Sequence, residues 1–438
     1  MRPRRILVVA YHFPPLGGGG VQRTVKHVKY LPTHNFDPVV VTTDSSVYHA
    51  KDDTLRADLP PALPVFRARE LLWGRKLMRL AQAHRIPYLG SIAAWPDQEA
   101  GWIPHALIVT LRAIRAHRPD VLYTTSPPNS AHLVGLLASR LAKLPWVADF
   151  RDEWSTNPHS GPRPPLIGPL TAYAERLVTR SASRVVVAAD TAEILGMPVG
   201  NRRRMTISNG VDEADLPPKR PMPAASRFRL SFVGSLYRGI DCAPVFEALR
   251  NLSRRGEIDP GRIEVRLVGN VGIANLDPGP IPMVRTGYVE HRRAFEEMLE
   301  AHALLSYVPA HAENTPGKIF EYLAADRPVL CVAGERNLAS RLVRELDAGL
   351  WAHPKDVPGI EMAIKELYRR WQTGDLRNPP GVREAVLQRF SREKLAGDLA
   401  RVLTAAIEDQ GGSAHRHPGP AHLAAKSTRK GGRNPLIG

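Results

Sequence analysis

Residues 11–31 read YHFPPLGGGGVQRTVKHVKYL, and their four consecutive glycines stand between two patterns of opposite kind. The segment RRILVVAYHF, which leads into them, is apolar and rich in β-branched residues, and it predicts a strand. After the glycines, Val21, Val25, Val28 and Leu31 recur at helical spacing. A strand, a glycine loop and a helix predict the opening of an α/β unit whose helix N-terminus can face an anion.

The glycine loop departs from two well-known phosphate-binding patterns. Gly17-x-Gly19 is followed by Gln22 at the position where the dinucleotide fingerprint requires a third glycine. No Gly-Lys-Ser or Gly-Lys-Thr follows, which excludes a P-loop. Taken alone, the loop fits a phosphate site and a flexible turn equally well.

Strand-like and helical patterns alternate along most of the chain. Six strand patterns lie within residues 1–210, and five more follow residue 227. Helical patterns separate most of them, which predicts parallel, doubly wound sheets. The basic, Pro-rich segment LPPKRPMPAASR between the two series has the composition of a linker.

We therefore predict an α/β fold with two Rossmann-like domains facing a central cleft, where a ligand would meet the carboxyl ends of the strands. The first domain spans residues 1–215, the linker 216–227 and the second domain 228–410, whose last helix can return to the first domain. Residues 411–438 are rich in Gly, Pro, His and Lys and lack apolar periodicity, so they are predicted to form a disordered basic tail.

Composition narrows the class of protein. The chain of 438 residues is too long for one ordinary core, and its 43% hydrophobic and 24% charged content is typical of globular proteins. Its two cysteines give neither a disulfide framework nor metal-ligand spacing, which fits a reducing cytosol. We find no signal-peptide pattern and no apolar run near the roughly 20 residues of a membrane span, so we predict a soluble or peripheral protein.

The net charge of +17 is distributed unevenly. Residues 1–216 carry +9 and residues 411–438 carry +5, while the part between them is nearly balanced. The first half and the tail could therefore meet an anionic surface. The carboxylate-rich run at 212–215 stands just before the linker, and we predict that its side chains are solvated.

The stretch AENTPGKIFEYLAADRPVL is the most informative for chemistry. Thr315 can cap a helix that begins at Pro316, and Lys318 and Glu321 then share a face near its positive end. Glu313 lies in the loop just before. A carboxylate there can accept a vicinal diol and an ammonium can bind a diphosphate. The alternative is a capped amphipathic helix with solvated charges.

These motifs, in this order, resemble those of family 4 glycosyltransferases of the GT-B fold, in the branch that acts in bacterial polysaccharide assembly. The resemblance covers roughly residues 4–405. It rests on two glutamates eight positions apart, the Pro-Gly-Lys before the second of them, and the early loop. The matching residues are Glu313, Glu321, Pro316, Gly317, Lys318, Pro14, Pro15, Gly19, Gly20 and Val21. DQEAGWIPHAL, TTSPPNSAHL, PWVADFRDEW and SNGVD are similar to further segments of that branch.

The resemblance implies a donor site for a nucleotide-diphosphate sugar. Glu321 would bind the ribose hydroxyls, Glu313 the donor sugar, and Lys318 the diphosphate. The motifs imply further donor-side residues. At Gly19, Gly20 and Gly317 the backbone can approach the donor. The segment FVGSLYRG contributes Ser235 and Arg238, and Arg238 is the candidate for a second phosphate clamp.

On the acceptor side, the resemblance places Arg151 and Asp152, and His12 in the loop after the first strand can touch substrate, although a lone histidine is more often structural. The implied reaction retains the anomeric configuration and needs no metal or other cofactor. The departing phosphate helps to deprotonate the acceptor, while the protein supplies orientation and positive charge.

A membrane signal lies in RARELLWGRKLMRLAQAHR, residues 67–85. Leucines and one tryptophan alternate with Arg and Lys there, as in a basic amphipathic helix on an anionic bilayer. A core-packed helix with a basic outer face is the alternative. With a glycan or polyprenyl-linked acceptor, the protein would be cytoplasmic and peripheral on the inner face of the plasma membrane.

Three rival functions differ in what they require. A glycoside hydrolase also uses two carboxylates, but these normally flank a groove and do not adjoin a lysine at a helix start. A nucleotide-sugar epimerase of the same fold is separated from a transferase only by its products. A nucleic-acid-binding protein would explain the charge, but the basic residues are scattered and include no recognition module, so we predict no nucleic-acid partner.

Overall fold

The computed structural model describes residues 2–414 apart from 18, 45–51, 85, 87–91, 93–94, 158–163, 191, 237–241, 274–275 and 311–314. Within these residues the chain forms two parallel sheets, one after the other along the sequence. Both sheets are covered by helices on both faces, as parallel sheets require.

The first sheet has seven strands within the described residues, in the order β3-β2-β1-β4-β5-β6-β7. Ile6 of β1 lies opposite Pro38 on one side and Val121 on the other. Alternate side chains of β1 enter different cores, with Ile6 and Val8 on one face and Leu7 and Val9 on the other. The strands are β1 (Arg4–Val9), β2 (Phe36–Thr43), β3 (Val65–Ala68), β4 (Val121–Ser126), β5 (Trp146–Phe150), β6 (Arg184–Val187) and β7 (Arg204–Thr206).

The second sheet has six strands within the described residues, in the order β10-β9-β8-β11-β12-β13. Both orders follow the Rossmann pattern, in which the strand sequence reverses beside the first strand. The reversal points are β1/β4 in the first sheet and β8/β11 in the second. The strands are β8 (Phe228–Val233), β9 (Ile263–Val268), β10 (Met283–Gly287), β11 (Ala303–Tyr307), β12 (Val329–Val332) and β13 (Gly349–Ala352).

The helices connect the strands and cover the sheets. Those of the first domain are α1 (Gly19–Tyr30), α2 (Trp73–Ala83), α3 (Ile103–His117), α4 (Ser130–Ala142) and α5 (Ile167–Ser181). Those that follow are α6 (Ala243–Arg254), α7 (His291–Leu299), α8 (Lys318–Ala324), α9 (Leu338–Glu345), α10 (Val357–Thr373), α11 (Val382–Phe390) and α12 (Arg392–Ala414). No helix in the described part of the chain is long and apolar enough to cross a membrane.

The last helix crosses back to the first domain. Leu395, Leu399 and Leu403 of α12 are buried in the same core as Val25 of α1 and Val8 of β1. The chain therefore passes between the domains twice, once through the segment before β8 and once at the start of α12. The helix includes residues 411–414, where the sequence predicts the disordered tail to begin; residues 415–438 of that tail lie outside the described residues.

Two local predictions differ from the structure. Residues 67–72 are not helical, because the chain first completes the edge strand β3 and only then begins α2 at Trp73. Pro316 does not begin α8, and Thr315 does not cap it; Gly317 takes the cap position without a side-chain hydrogen bond. The helix start is thus two residues later than predicted.

Candidate functional site

The cleft between the domains brings most of the predicted site residues together. Gly20, Arg151, Asp152, Gly317, Lys318 and Glu321 line one cavity of about 420 Å³. Ser235 and Lys318 both line two adjoining cavities of about 250 and 200 Å³. Gly20 follows β1, Ser235 follows β8 and Lys318 follows β11. Because these three strands lie at the two reversal points, the cavities occupy the usual ligand position of doubly wound sheets.

The remaining predicted residues fall around or outside this cavity. Gly19 begins α1. A Cβ built on Gly20 would lie 3.9 Å from Cδ2 of His12, so that histidine is beside the glycine loop. Glu313 and Arg238 lie outside the described residues, and their predicted roles stay predictions.

A side chain at Gly20 would not clash with other atoms of the protein. A Cβ at this position would lie 3.5 Å from Nη1 of Arg151, which is an ordinary van der Waals distance. Gly317 is similar, because its nearest neighbours are atoms of Asn209 at 3.8 Å. Packing within the chain therefore does not account for either glycine, and both leave backbone open towards the cavity.

Arg151 holds backbone together at the mouth of the first sheet. Its Nε donates to the carbonyl of Ser126 at 2.6 Å, its Nη2 donates to that of Pro127 at 2.8 Å, and its Nη1 donates to that of Gly20. One guanidinium thus joins the ends of β4 and β5 to the start of α1. Its contacts within the chain are those of a positioning residue, and its acceptor role stays a prediction.

Lys318 and Glu321 form an ion pair at the start of α8, with 2.5 Å between Nζ and Oε2. The next residue fixes the helix to the sheet: the Tyr322 hydroxyl accepts from the Val233 N–H at 2.8 Å and donates to its carbonyl at 2.9 Å. Because Val233 ends β8, these bonds hold the ion pair beside the reversal point of the second sheet. The shared face predicted for Lys318 and Glu321 is present.

A buried ion pair between Arg23 and Asp149 joins α1, the helix that follows the glycine loop, to β5. Nε and Nη2 of Arg23 each donate to Asp149 at 3.0 Å, and the other Arg23 donors reach the carbonyls of Ile207 and Ser208. Tyr123 adds a hydrogen bond of 2.6 Å to the same carboxylate. Burial alone would raise the pKa of Asp149, but Arg23 outweighs it and lowers that pKa to about 2.

Three histidines of the first domain are kept neutral. Burial, with help from Arg151 and Arg75, lowers the pKa of His12 to about 3. Burial also lowers the pKa of His132 to about 3, and burial together with Arg23 lowers that of His27. At neutral pH the His12 imidazole beside the cleft is therefore an uncharged hydrogen-bonding group.

Comparison with known proteins identifies the first half of the chain. Residues 18–210 match the family model described as the glycosyl transferase 4-like domain. The predicted resemblance to family 4 glycosyltransferases is thereby confirmed. A search of curated protein sequences found no match.

Solved structures match over nearly the whole length. The N-terminal domain of trehalose-6-phosphate phosphatase from Candida albicans is 10% identical, with a TM-score of 0.61 over 92% of this chain and 97% of that one. WaaG, a glycosyltransferase involved in lipopolysaccharide biosynthesis, is 12% identical, with a TM-score of 0.53 over 92% of this chain and 98% of that one. A Listeria monocytogenes protein assigned as a UDP-N-acetylglucosamine 2-epimerase is also 12% identical, with a TM-score of 0.53 over 93% and 98%. These likenesses show the fold, and the predicted GT-B architecture is confirmed.

The prediction that the carboxylates before the linker are solvated is wrong for Asp212 and Asp215, while Glu213 is exposed as predicted. Nζ of the buried Lys26 lies 2.6 to 2.8 Å from Asp58, Asp212 and Asp215. Nε2 of His291, in the second domain, lies 3.2 Å from Asp215. Three carboxylates at this spacing could also surround a metal ion, but the ammonium of Lys26 already occupies their centre.

Three residues of the GT-B cleft were missed by the sequence predictions. Gln22, Asn209 and Arg392 line the same cavity as Glu321. Asn209 lies in the quoted segment SNGVD, so its position could have been singled out from the motif. Arg392 stands in no motif, and only the return of α12 to the first domain brings it to the cleft.

Proposed function

We propose that the chain is a retaining glycosyltransferase that moves a sugar from a nucleotide-diphosphate sugar to a glycan or polyprenyl-linked glycan during cell-surface or extracellular polysaccharide biosynthesis. The observation that carries the proposal is the Lys318–Glu321 pair at the start of α8, which shares a cavity with the glycine loop of the first domain. A carboxylate, an ammonium and open glycine backbone are the groups that a ribose diphosphate requires.

On the donor side, Glu321 accepts hydrogen bonds from the two ribose hydroxyls through its carboxylate. Lys318 lies three residues earlier and contributes positive charge to the diphosphate, together with the N–H groups at the helix start. The adjoining cavity lined by Phe232, Ser235 and Tyr307 is a suitable place for the nucleobase, because it combines apolar side chains with one hydroxyl.

The reaction proceeds by orientation and charge stabilisation. The bond between the anomeric carbon and the diphosphate oxygen breaks while the acceptor oxygen bonds to the same face of that carbon. The acceptor proton passes to the departing phosphate, so the reaction requires no protein nucleophile. Lys318 stabilises the charge that develops on the leaving diphosphate, and the first domain positions the acceptor near Asp152 and the neutral His12.

The structure supports a membrane-facing role for α2. Trp73, Leu77 and Leu80 are 45%, 38% and 48% exposed, so they are not the inner face of a core-packed helix. Exposed basic residues stand between them at Lys76 and Arg79. Apolar and cationic groups exposed on one helix favour an anionic bilayer, where the cytoplasmic leaflet would supply a lipid-linked acceptor.

The membrane proposal is tested by sedimentation with vesicles of phosphatidylcholine and phosphatidylglycerol. Leu77→Ser with Leu80→Ser should reduce binding by about tenfold or more, since both side chains lose apolar burial in the bilayer. Ile108→Ser, an exposed apolar residue on α3, is the matched control. Equal binding of all three proteins would contradict the role of α2.

Product analysis tests the catalytic proposal. The full chain is incubated with a panel of UDP-, GDP- and dTDP-sugars and oligosaccharide or polyprenyl-phosphate-sugar acceptors. We expect one nucleoside diphosphate released for each glycoside formed, with the anomeric configuration of the donor kept in the NMR spectrum of the product. A glycoside of inverted configuration would contradict retention.

A matched pair of glycine variants sharpens the test. Gly20→Ala meets only ordinary contacts within the protein, so it should fold normally and lose turnover if donor phosphate approaches that backbone. Gly168→Ala in α5 has no atom within 4 Å of the added methyl and serves as the control. Full activity in Gly20→Ala would show that the donor phosphate does not approach the backbone of the glycine loop.

A second candidate function is a nucleotide-sugar epimerase, which the structural likeness to the Listeria monocytogenes protein favours. The same donor site would bind the substrate, but no acceptor would be glycosylated. Conversion of the nucleotide-sugar into its epimer without formation of a glycoside would establish this function in place of the transferase.

A further inference from the structure

Arg392 is the first residue of α12 and lies where the chain crosses back to the first domain. Its backbone N–H donates to the carbonyl of Val211 at 2.9 Å. It is only 7% exposed, yet it lines the interdomain cavity together with Lys318 and Glu321. Neither the family motifs nor the catalytic proposal gives it a role.

The guanidinium of Arg392 lacks partners that a buried cation normally has. Its Nη1 is buried and makes no hydrogen bond to any described residue. Burial and, second to it, the nearby Arg23 lower the pKa of Arg392 to about 10, and Glu321, Asp212 and Asp215 offset this only in part. A buried charge without a paired partner is unfavourable, so a role in holding the fold together does not account for it.

The other cations near this cavity are already engaged. Arg151 donates to three backbone carbonyls, Arg23 pairs with Asp149, and Lys318 pairs with Glu321. Within the described residues that line the cavity, Arg392 is therefore the cation with an uncommitted buried donor.

Local packing fixes where Arg392 stands. Gly210 approaches the crossover so closely that a Cβ on it would lie 2.1 Å from the carbonyl oxygen of Phe390. Val211 donates to that same carbonyl at 3.0 Å and forms a parallel bridge with Ser391. The backbone at Arg392 and just before it is thus tied to residues 210–211, which presents the side chain to the cleft without a flexible loop.

We propose that Arg392 binds an oxyanion of the ligand that occupies the cleft. The inference rests on the proposed glycosyltransferase function and extends it by one ligand group. An oxyanion would supply the charge-assisted hydrogen bond that Nη1 lacks. Two sources have this chemistry: the diphosphate of the donor, and a carboxylate or phosphate on the acceptor.

The test compares the full-length wild type with Arg392→Met and Arg392→Lys. Thermal unfolding is measured first, without ligand. Because Met removes an unpaired buried charge and keeps much of the side-chain volume, Arg392→Met should unfold at the wild-type temperature or above it. Clear destabilisation of this variant would show a structural role and overturn the proposal.

Calorimetric titrations with UDP, GDP, dTDP and inorganic pyrophosphate then test whether the donor supplies the oxyanion that Arg392 binds. A loss of about 10- to 100-fold in nucleoside diphosphate affinity in Arg392→Met, with a smaller loss in Arg392→Lys, assigns the oxyanion to the donor. If the wild type binds no nucleotide, the proposed function fails. Pyrophosphate then decides the Arg392 inference by itself, because equal affinities for it in the three proteins would overturn that inference.

If Arg392→Met binds nucleoside diphosphates as tightly as the wild type, the acceptor is tested as the source of the oxyanion. Steady-state kinetics are then compared for oligosaccharide acceptors that carry a uronic acid or a phosphate and for their neutral counterparts. A rise of about tenfold or more in KM for the acidic acceptors alone, with kcat kept, assigns the oxyanion to the acceptor. No selective change in either arm would overturn the proposal.

Discussion

The two sides of the cleft use their charged residues differently. On the side of the first domain, Arg23 and Arg151 direct their donors at Asp149 and at backbone carbonyls. On the other side, Lys318 and Glu321 reach the cavity and, among the described residues, pair with each other, while Arg392 at the crossover has an uncommitted donor. The comparison separates charges that shape the cleft from charges available to a ligand.

The largest effect is expected for Arg23→Met. It leaves the buried Asp149 carboxylate without its cation, and we expect the free energy of unfolding to fall by about 3–5 kcal/mol. Urea unfolding followed by circular dichroism measures the loss. Arg23→Met combined with Asp149→Asn should recover part of it, because the uncompensated charge is then gone. If the double variant is no more stable than Arg23→Met, the pairing is not the cause.

Arg151→Met is expected to cost about 1.5–3 kcal/mol of stability, the range for hydrogen bonds that involve a charged group. Although Arg151 lines the cavity, its guanidinium donors are engaged by three backbone carbonyls, so nucleoside diphosphate affinity should change by less than about tenfold. Urea unfolding and calorimetric titration of the same preparation check both parts. A normal stability with abolished nucleotide binding would place Arg151 on the ligand side of the comparison.

His132 makes the first domain sensitive to acid. It is fully buried, its ring centroid is 4.2 Å from that of Phe150, and burial lowers its pKa to about 3. Because the unfolded chain has the higher pKa, about 6.5, it binds more protons as the pH falls, so stability is complete above pH 6.5 and is lost towards pH 3. At pH 5 this one neutral imidazole lowers the free energy of unfolding by about 2 kcal/mol.

The matching variant is His132→Asn, compared with the wild type between pH 7 and pH 5. The packing that the substitution removes should lower the free energy of unfolding by the same amount at both pH values. The fall in that free energy from pH 7 to pH 5 should be about 2 kcal/mol smaller in the variant than in the wild type. Urea midpoints at the two pH values give the difference. Parallel pH profiles in the two proteins would contradict the buried neutral imidazole.

The smallest effect is expected at the surface between the domains. Arg341 of the second domain lies 2.8 Å from Asp190 of the first, and both side chains are about half exposed. Since exposed ion pairs contribute little, Arg341→Ala should change the free energy of unfolding by less than about 1 kcal/mol. A larger loss by urea unfolding would mean that domain contact, and not only the buried Arg23 pair, stabilises the cleft.

The sequence predicted the parts of the molecule that depend on local pattern. Alternating strands and helices gave two parallel sheets, and the glycine loop and Lys318–Glu321 block meet in one cavity as the fold requires. Two short edge strands, β3 and β13, escaped prediction because four residues with little burial alternation carry a weak signal.

Pairings distant in sequence could not be predicted in the same way. Asp212 is 186 positions from Lys26, and only the folded chain shows that the lysine makes it a buried partner and not a solvated carboxylate. Arg392 reaches the cleft because α12 leaves its own domain, a step that no periodicity encodes. Contacts between distant parts of the chain therefore account for both of these errors.

Titration of UDP, GDP and dTDP into the wild type and Glu321→Ala tests the central claim, that Glu321 belongs to a nucleotide-sugar site. We predict that one diphosphate binds the wild type and that the variant loses about 2–4 kcal/mol of binding, or 30- to 1,000-fold in affinity. Thermal unfolding without ligand should be nearly the same for both proteins, because the ion pair that Glu321 makes within the described residues is with a partly exposed lysine. Equal affinity in the two proteins, or no nucleotide binding to the wild type, would contradict the account.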